Sequence, residues 1–229
     1  PVNIMGASKR IMEDVIFSYS DRFSVKTARF ANVAFSNGSL PAGFLARISK
    51  FQPISAPSDV KRYFVSPEES GQICLLACML GKNQEIFFPK LSDAQMMSFD
   101  RIATRLLQEQ GFRVLECESD EEAIEKAEEL KNGSNMYPVH YSPSNTSGEK
   151  PAEEFFTDDE IVDMTRFEAL GVITVNEIAQ KSKVEKLFEE LEGEFNKETT
   201  TKKRIVEIMK MYLPNFEHIE TGKSLDSKM

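Results

Sequence analysis

Helix-patterned and strand-patterned segments alternate from residue 4 to residue 141, and this alternation restricts the chain to an α/β layout. Ile4, Ala7, Ile11, Val15 and Ile16 recur at helical spacing across residues 4–19. Residues 24–33 read as a strand, 42–51 as a short amphipathic helix after the Gly38-Ser39-Leu40-Pro41 turn, and 62–65 as a short strand. The next helix has a clear start signal: Ser66 is a good N-cap, Pro67 suits the first helical position and Glu69 completes a capping box. That helix runs through Leu80 and is nearly all apolar, so it is expected to be buried. A strand over 85–89, a helix over 98–110 closed by Gly111, and a strand over 112–117 follow. Ser119-Asp-Glu-Glu122 opens another capped helix that Gly133 closes, and 137–141 is strand-like. Residues 143–151, rich in Ser, Asn, Thr and Gly, read as a loop, and Thr157-Asp-Asp-Glu160 as the start of a short helix. After about Gly171 the composition shifts to two amphipathic helices, 184–195 and 200–213, rich in Glu and Lys. Their apolar positions, Leu187, Leu191, Ile205, Ile208 and Met209, need a partner surface. The tail from Glu220 is polar.

With 229 residues, 41% of them apolar and 17 of them Phe, the chain can bury a core as one large domain or two small ones. A net charge of −9 argues against a sequence-independent nucleic-acid binder, which needs a basic face. It does not exclude an anionic substrate held by a local Arg. No run of about 18 apolar residues is present to span a bilayer, and no signal-peptide pattern is visible. Cys74, Cys78 and Cys117 form no disulfide or metal framework; Cys74 and Cys78 lie one turn apart in the apolar helix and are expected to be buried. His140 and His218 are the only histidines, so no metal site is expected, and His140, between Pro138 and Tyr141, reads as structural. The expectation is a reduced, cytoplasmic protein.

The chain opens Pro1-Val-Asn-Ile-Met5-Gly-Ala-Ser-Lys9, which puts Met5 and Lys9 four residues apart on one helical face. Arg29-Phe-Ala-Asn-Val33, Ser36-Asn-Gly-Ser-Leu-Pro41, Pro53-Ile-Ser-Ala-Pro-Ser-Asp59 and Lys61-Arg-Tyr-Phe-Val-Ser-Pro-Glu68 follow in order. Tyr137-Pro-Val-His-Tyr141, Thr146-Ser-Gly-Glu-Lys150 and Glu153-Glu-Phe155 come later. As a set these segments resemble the UDP-N-acetylglucosamine 4,6-dehydratases, extended short-chain dehydrogenase/reductases of bacterial polysaccharide and nonulosonic-acid biosynthesis. The resemblance covers the chain to about residue 160. That superfamily carries a Tyr and a Lys as Y-x-x-x-K; here Lys9 is kept and Met5 stands at the Tyr position. A thioether has no proton to donate, so any acid must come from elsewhere. The family's strand, Gly-rich phosphate loop and helix have no counterpart among the 11 glycines, and its Thr-Asp-Lys acid/base segment is not found either. The resemblance therefore implies the C-terminal part of a longer enzyme. The fold expected is α/β: the C-terminal half of a doubly wound Rossmann-like sheet with a small mixed α/β substrate lobe and a helical C-terminal extension. The expected divisions are 1–95, 96–170 and 171–229.

The resemblance also implies roles. Lys9 would bond the nicotinamide ribose of NAD or NADP and add positive potential at the reacting carbon, with Met5 beside the sugar. Phe30 and Asn32 would join Lys9 at the cofactor. Asn32, Gly38, Ser39, Arg62 and Glu68 would hold a UDP-sugar substrate, Arg62 as a bidentate clamp on the diphosphate. A homo-oligomer is expected. Each residue also has a plainer reading. Lys9 can be a surface Lys paired with Glu13, Met5 core filler, Asn32 a strand-closing amide, Gly38-Ser39 an ordinary turn, and Arg62 a surface residue of an edge strand. At the level of function, a nucleotide-sugar 4-epimerase and a non-catalytic substrate lobe or oligomerisation module stand beside the dehydratase.

Overall fold

The computed structural model describes residues 1–144 and 154–220. Helix α1 (Ile4–Phe17) starts at Asn3, whose side-chain oxygen accepts the Gly6 N–H at 2.7 Å. Its Ala7 and Ile11 are buried against the two C-terminal helices, α6 (Lys181–Phe195) and α7 (Lys202–Tyr212), in a cluster with Leu187, Ile205, Ile208, Met209 and Phe216. The partner surface those amphipathic helices need is thus the first helix of the chain. Backbone bonds from Glu217 N–H to the Pro1 carbonyl (3.1 Å) and from Ile219 N–H to the Val2 carbonyl (3.0 Å) extend the same contact.

The strand expected over 24–33 is two strands in two sheets. β1 (Lys26–Ala28) runs parallel to β6 (Glu85–Pro89), whereas β2 (Asn32–Val33) runs parallel to β5 (Phe64–Val65). The chain changes neighbours at Arg29, whose N–H still bonds the Phe87 carbonyl at 2.8 Å. The segment 62–65 divides in the same way: β4 (Lys61–Arg62) pairs antiparallel with β7 (Met97–Ser98), and β5 turns to β2. β6 is buried along its whole length because β11 (Leu170–Thr174) covers its other edge, antiparallel, with β10 (Ile161–Asp163) outside it. Gly171 lies against the Phe88 ring in that pairing.

Residues 157–160 do not begin a helix. The capping chemistry is there, since the Thr157 N–H bonds Glu160 Oε2 at 2.9 Å, but β-branched Ile161 and Val162 pair with β11 and the turn ends in a strand.

The second large sheet is all parallel, in the order β3 (Ile54–Pro57), β9 (Met136–Ser142), β8 (Arg113–Cys117). Between β2 and β3 lies α2 (Leu40–Ile48), between β7 and β8 lies α4 (Phe99–Glu109), and between β8 and β9 lies α5 (Asp120–Lys126). Phe44, Ile54, Leu107, Tyr137 and Val139 form the centre of the core there. Gly111 (φ +83°) and Gly133 (φ +87°) stand in the left-handed conformation where α4 and the turn after α5 end, as their positions led one to expect. Both large sheets join strands from either side of residue 95, and β11 crosses residue 171.

Helix α3 (Pro67–Leu80) begins with the expected capping box: Glu69 N–H to Ser66 Oγ at 3.1 Å and Ser66 N–H to Glu69 Oε2 at 2.6 Å. Its expected burial is corrected by the structure. Only Ile73 and Ala77 are buried, against β1 and β6, while Leu75 and Met79 are 62% and 72% exposed. Cys74 and Cys78 are exposed with them, and only Cys117 is buried. A helix laid on one side of a sheet buries one stripe; composition reports how apolar the whole surface is, not which stripe finds a partner. The class is mixed α/β, and the described strands form four sheets of four, three, two and two strands.

Candidate functional site

Met5, Lys9 and Glu13 recur every four residues along α1, on the side opposite buried Ala7 and Ile11. Met5 is 66% exposed and Lys9 is exposed as well, so Met5 is not core filler. Nor does Lys9 pair with Glu13; among the described residues Lys9 makes no ion pair. Glu13 is held instead by Arg10 at 3.1 Å and by Arg29.

Arg29 spends all five of its N–H donors. Nε and Nη2 bond the two oxygens of Glu13, each at 2.7 Å; Nη2 and Nη1 bond those of Glu160, at 2.8 and 2.9 Å; Nη1 also bonds the Phe155 carbonyl at 2.9 Å. Two carboxylates therefore clasp one guanidinium, which joins α1, the end of β1 and the turn before β10. Burial alone would lower the Arg29 pKa, but the bonds to Glu13 and Glu160 outweigh it and raise it. Burial pushes the Glu160 carboxyl up, yet the Arg29 bond prevails and holds it below the usual range. In Asp14, which touches Arg10 and the Tyr212 hydroxyl, burial prevails and the pKa rises.

A folded-state pKa depressed in Glu160 gives stability that is complete above the unfolded value of about 4.3 and is lost as pH falls through the folded value. We expect the wild type to exceed Glu160→Gln in urea midpoint by a constant margin near neutrality, and the margin to vanish in strong acid. A margin unchanged down to pH 2 would contradict the ion pair.

Asn32 lies in β2, where its N–H bonds the Tyr63 carbonyl at 3.2 Å and its register partner is Phe64, so β2 and β5 bring Asn32 beside the stretch that holds Arg62. Phe30, two residues earlier, is exposed. Tyr63 is buried and its hydroxyl donates to Asp93 at 3.0 Å; burial and the Asp93 bond raise its pKa, so the phenol stays protonated. Arg62 is only 8% exposed, and its Nη1 donates to the Lys61 carbonyl at 2.9 Å, so it does not stand as a surface residue. In the loop after β2, the Ser39 N–H goes to the Ser36 carbonyl (2.9 Å) and the Ser39 hydroxyl caps α2 through Ala42 N–H (3.4 Å). The Gly38 N–H has no partner among the described residues, and Gly38 holds φ +76° with open space around it. Phe35 in the same loop holds φ +56° while half exposed, a conformation that costs a non-Gly residue about 1–3 kcal/mol. Glu68 is exposed in the first turn of α3 and accepts from Gln72 at 3.4 Å.

The structure thus gathers Asn32 with the Arg62 stretch through one strand pair, sets Glu68 directly after it, and ties the Met5–Lys9 face to the same strand end through Arg29. Sequence reasoning gave no site role to Arg29 or Phe35, took Glu13 only as a partner for Lys9 and read Glu160 only as part of a helix start. Arg29 is the first residue of the Arg29–Val33 stretch and Glu13 is four residues after Lys9, so both stood next to residues already singled out; the local signal at Glu160 was for capping, not for an ion pair with Arg29. The Glu149 and Lys150 loop segment lies outside the described residues. Among the described residues no cluster of His, Cys, Asp and Glu suits a metal, and no helix is long and apolar enough to cross a membrane. A shallow groove of about 320 Å³ between the end of α1 and α6, lined by Val15, Tyr19, Val184 and Phe188, contains none of the expected site residues.

A family model described as polysaccharide biosynthesis protein matches residues 1–175. Similar proteins include the capsular polysaccharide biosynthesis protein CapD of Staphylococcus aureus (35% identical over 91 residues, 38% of this chain and 15% of that protein). The probable polysaccharide biosynthesis protein EpsC of Bacillus subtilis is 33% identical over 90 residues, again 38% of this chain and 15% of that protein. An uncharacterized membrane protein of Methanocaldococcus jannaschii is 31% identical over 102 residues, 42% of this chain and 31% of that protein. The chain spans less than a third of the length of these relatives. The solved structure of Pen from Bacillus thuringiensis shares the fold, with a TM-score of 0.56 at 20% identity over 77% of this chain and 49% of that one.

Proposed function

Because the chain belongs to the polysaccharide biosynthesis protein family, we propose that it contributes the Lys-bearing helix and the sugar-nucleotide contacts of a nucleotide-sugar 4,6-dehydratase acting on UDP-N-acetylglucosamine with bound NAD or NADP. The observation that carries this reading is the exposed Met5–Lys9 face of α1, with a Lys that no carboxylate neutralises among the described residues. An unpaired ammonium on an accessible helix face suits the ribose hydroxyls of a dinucleotide, while the Gly-rich loop that would cradle its pyrophosphate has no counterpart in these residues.

When bound, the dinucleotide supplies reversible two-electron oxidation at a sugar carbon. The chain's own residues do the rest. Lys9 would donate hydrogen bonds to the ribose and add positive potential near the sugar, which would raise the acidity of the C5 proton once C4 is a ketone. Met5 packs at the hexose without offering a proton, so proton removal at C5 and protonation of the departing C6 hydroxyl belong to other residues. Asn32 offers an amide donor and acceptor at the start of β2, beside the stretch that carries Arg62. Gly38 offers an unspent N–H to an anionic oxygen. Arg62, largely buried, faces a diphosphate only through what its packing leaves accessible, and Phe30 and Glu68 border the site from exposed positions.

The test is incubation of the complete gene product with UDP-N-acetylglucosamine, followed by NMR. A 4-keto-6-deoxy product supports the reading, and a simple C4 epimer would replace it with the epimerase. Met5→Tyr sharpens the distinction. Since Met5 is 66% exposed, the ring fits within this chain, and the substitution tests chemistry rather than packing. With acid and base supplied elsewhere, kcat should be equal or lower; a gain of about tenfold or more, the low end for general acid catalysis being larger still, would mark a degenerate Tyr-dependent enzyme.

A further inference from the structure

We propose that Arg29 is a positioning residue of this site: its double fork fixes α1, and with it Met5 and Lys9, against the strand end that carries Phe30 and Asn32. The proposal rests on the reading of Lys9 and Asn32 given above, and three observations carry it. First, Arg29 is anchored at both ends. Its backbone N–H closes the β1–β6 ladder on Phe87 (2.8 Å), and three residues on Asn32 enters the pairing with β5. Second, its side chain reaches the helix row that matters, because Glu13 follows Lys9 by one turn on the Met5–Lys9 side. Third, the opposite face of α1 is held by apolar contacts of Ala7 and Ile11 with α6 and α7. Apolar packing is non-directional and tolerates a small roll of the helix, whereas two pairs of N–H···O bonds to planar carboxylates do not.

Glu160 completes the device. It grips the other edge of the guanidinium, and its Oε2 also accepts the Thr157 N–H, so the turn before β10 braces the same point. Arg10 lies 3.1 Å from Glu13, 3.5 Å from Asp14 and 4.0 Å from Glu160, so a second cation braces the same carboxylates from the α1 side. A Lys at position 29 would keep the charge but, as a point cation, could not hold two forks at once.

The experiment compares Arg29→Lys, Arg29→Gln and Glu160→Gln in the complete gene product, with kcat counted per folded molecule. Small misplacement of reacting groups costs up to about 100-fold, so kcat should fall roughly 10- to 100-fold in both Arg29 variants while KM for the UDP-sugar moves by no more than about threefold. A role in charge balance or bulk stability alone would be rescued by Lys; full kcat in Arg29→Lys would overturn the proposal. A second measurement does not depend on activity. Hydrogen exchange of the peptide spanning residues 4–17 should speed up at least about tenfold in Glu160→Gln, since that change reaches α1 only through Arg29 and Arg10. Unchanged exchange there would also overturn it. If the wild type makes no 4-keto sugar, the functional reading falls by itself, and the exchange result still decides whether Arg29 fixes α1.

Discussion

Lys9→Met is expected to lower the turnover of the complete gene product by at least about 100-fold, the low end for loss of a positioned catalytic group. The plainer alternative for Lys9 was a solvated surface residue paired with Glu13. The structure removes that pairing: Glu13 gives both carboxylate oxygens to Arg29 and touches Arg10, while Lys9 stays exposed and unpaired among the described residues. A cation with no structural partner contributes little to stability, so Lys9→Met should leave the melting temperature within about 1 °C and the loss should be chemical. Lys9→Arg is the informative companion. It preserves charge but replaces a compact ammonium by a wider fork, and partial activity would indicate that charge and geometry both act. Turnover unchanged in Lys9→Met would make Lys9 a surface residue and remove the main support for the dehydratase reading.

Gly171→Ala is expected to destabilise the protein by about 3 kcal/mol, the upper end for overpacking. A Cβ at this position would stand 2.2 Å from Phe88 Cζ and 2.7 Å from two further ring carbons, far inside contact distance. The ring has little room to retreat. Phe88 is almost fully buried in the central strand, and the rings of Phe155 and Phe156 lie 6.0 and 5.3 Å from it. Strand β11 must then move off β6, which loosens the register that joins Leu170–Thr174 to Glu85–Pro89. For a domain of this size the melting temperature should fall by roughly 6–12 °C. Gly111→Ala, with open space around the Cβ and only its φ of +83° against it, is the control and should cost about 1 kcal/mol. Equal effects from the two would show that conformational strain, not the Phe88 ring, governs position 171.

Signals confined to a few neighbouring residues were legible in the chain itself. The Ser66–Glu69 capping box, the glycine stops at 111 and 133, and the helix starting at Ile4 all depend on groups within one or two turns of each other. The apolar stripes of the last two helices announced that a partner surface existed, since such stripes are unfavourable in water. They did not say that the partner was α1, at the other end of the chain. The motif residues fared likewise. Met5 and Lys9 share a face by helical spacing alone, whereas the ion pairs of Glu13 could be read only with Arg29 and Glu160 in place.

What the sequence by itself determined is therefore the set of local elements and the motif residues that carry the family resemblance. Tertiary structure decided three things. It split the 24–33 and 62–65 runs between sheets, because strands of two or three residues are defined by their neighbours and not by their own side chains. It turned 161–163 and 170–174 into strands, because β6 had a free edge to cover. And it left the apolar face of α3 exposed while closing the donors of Arg29 around two distant carboxylates and the Phe155 carbonyl. Propensity and periodicity are properties of a segment; burial and pairing belong to whichever surfaces the rest of the chain brings against it.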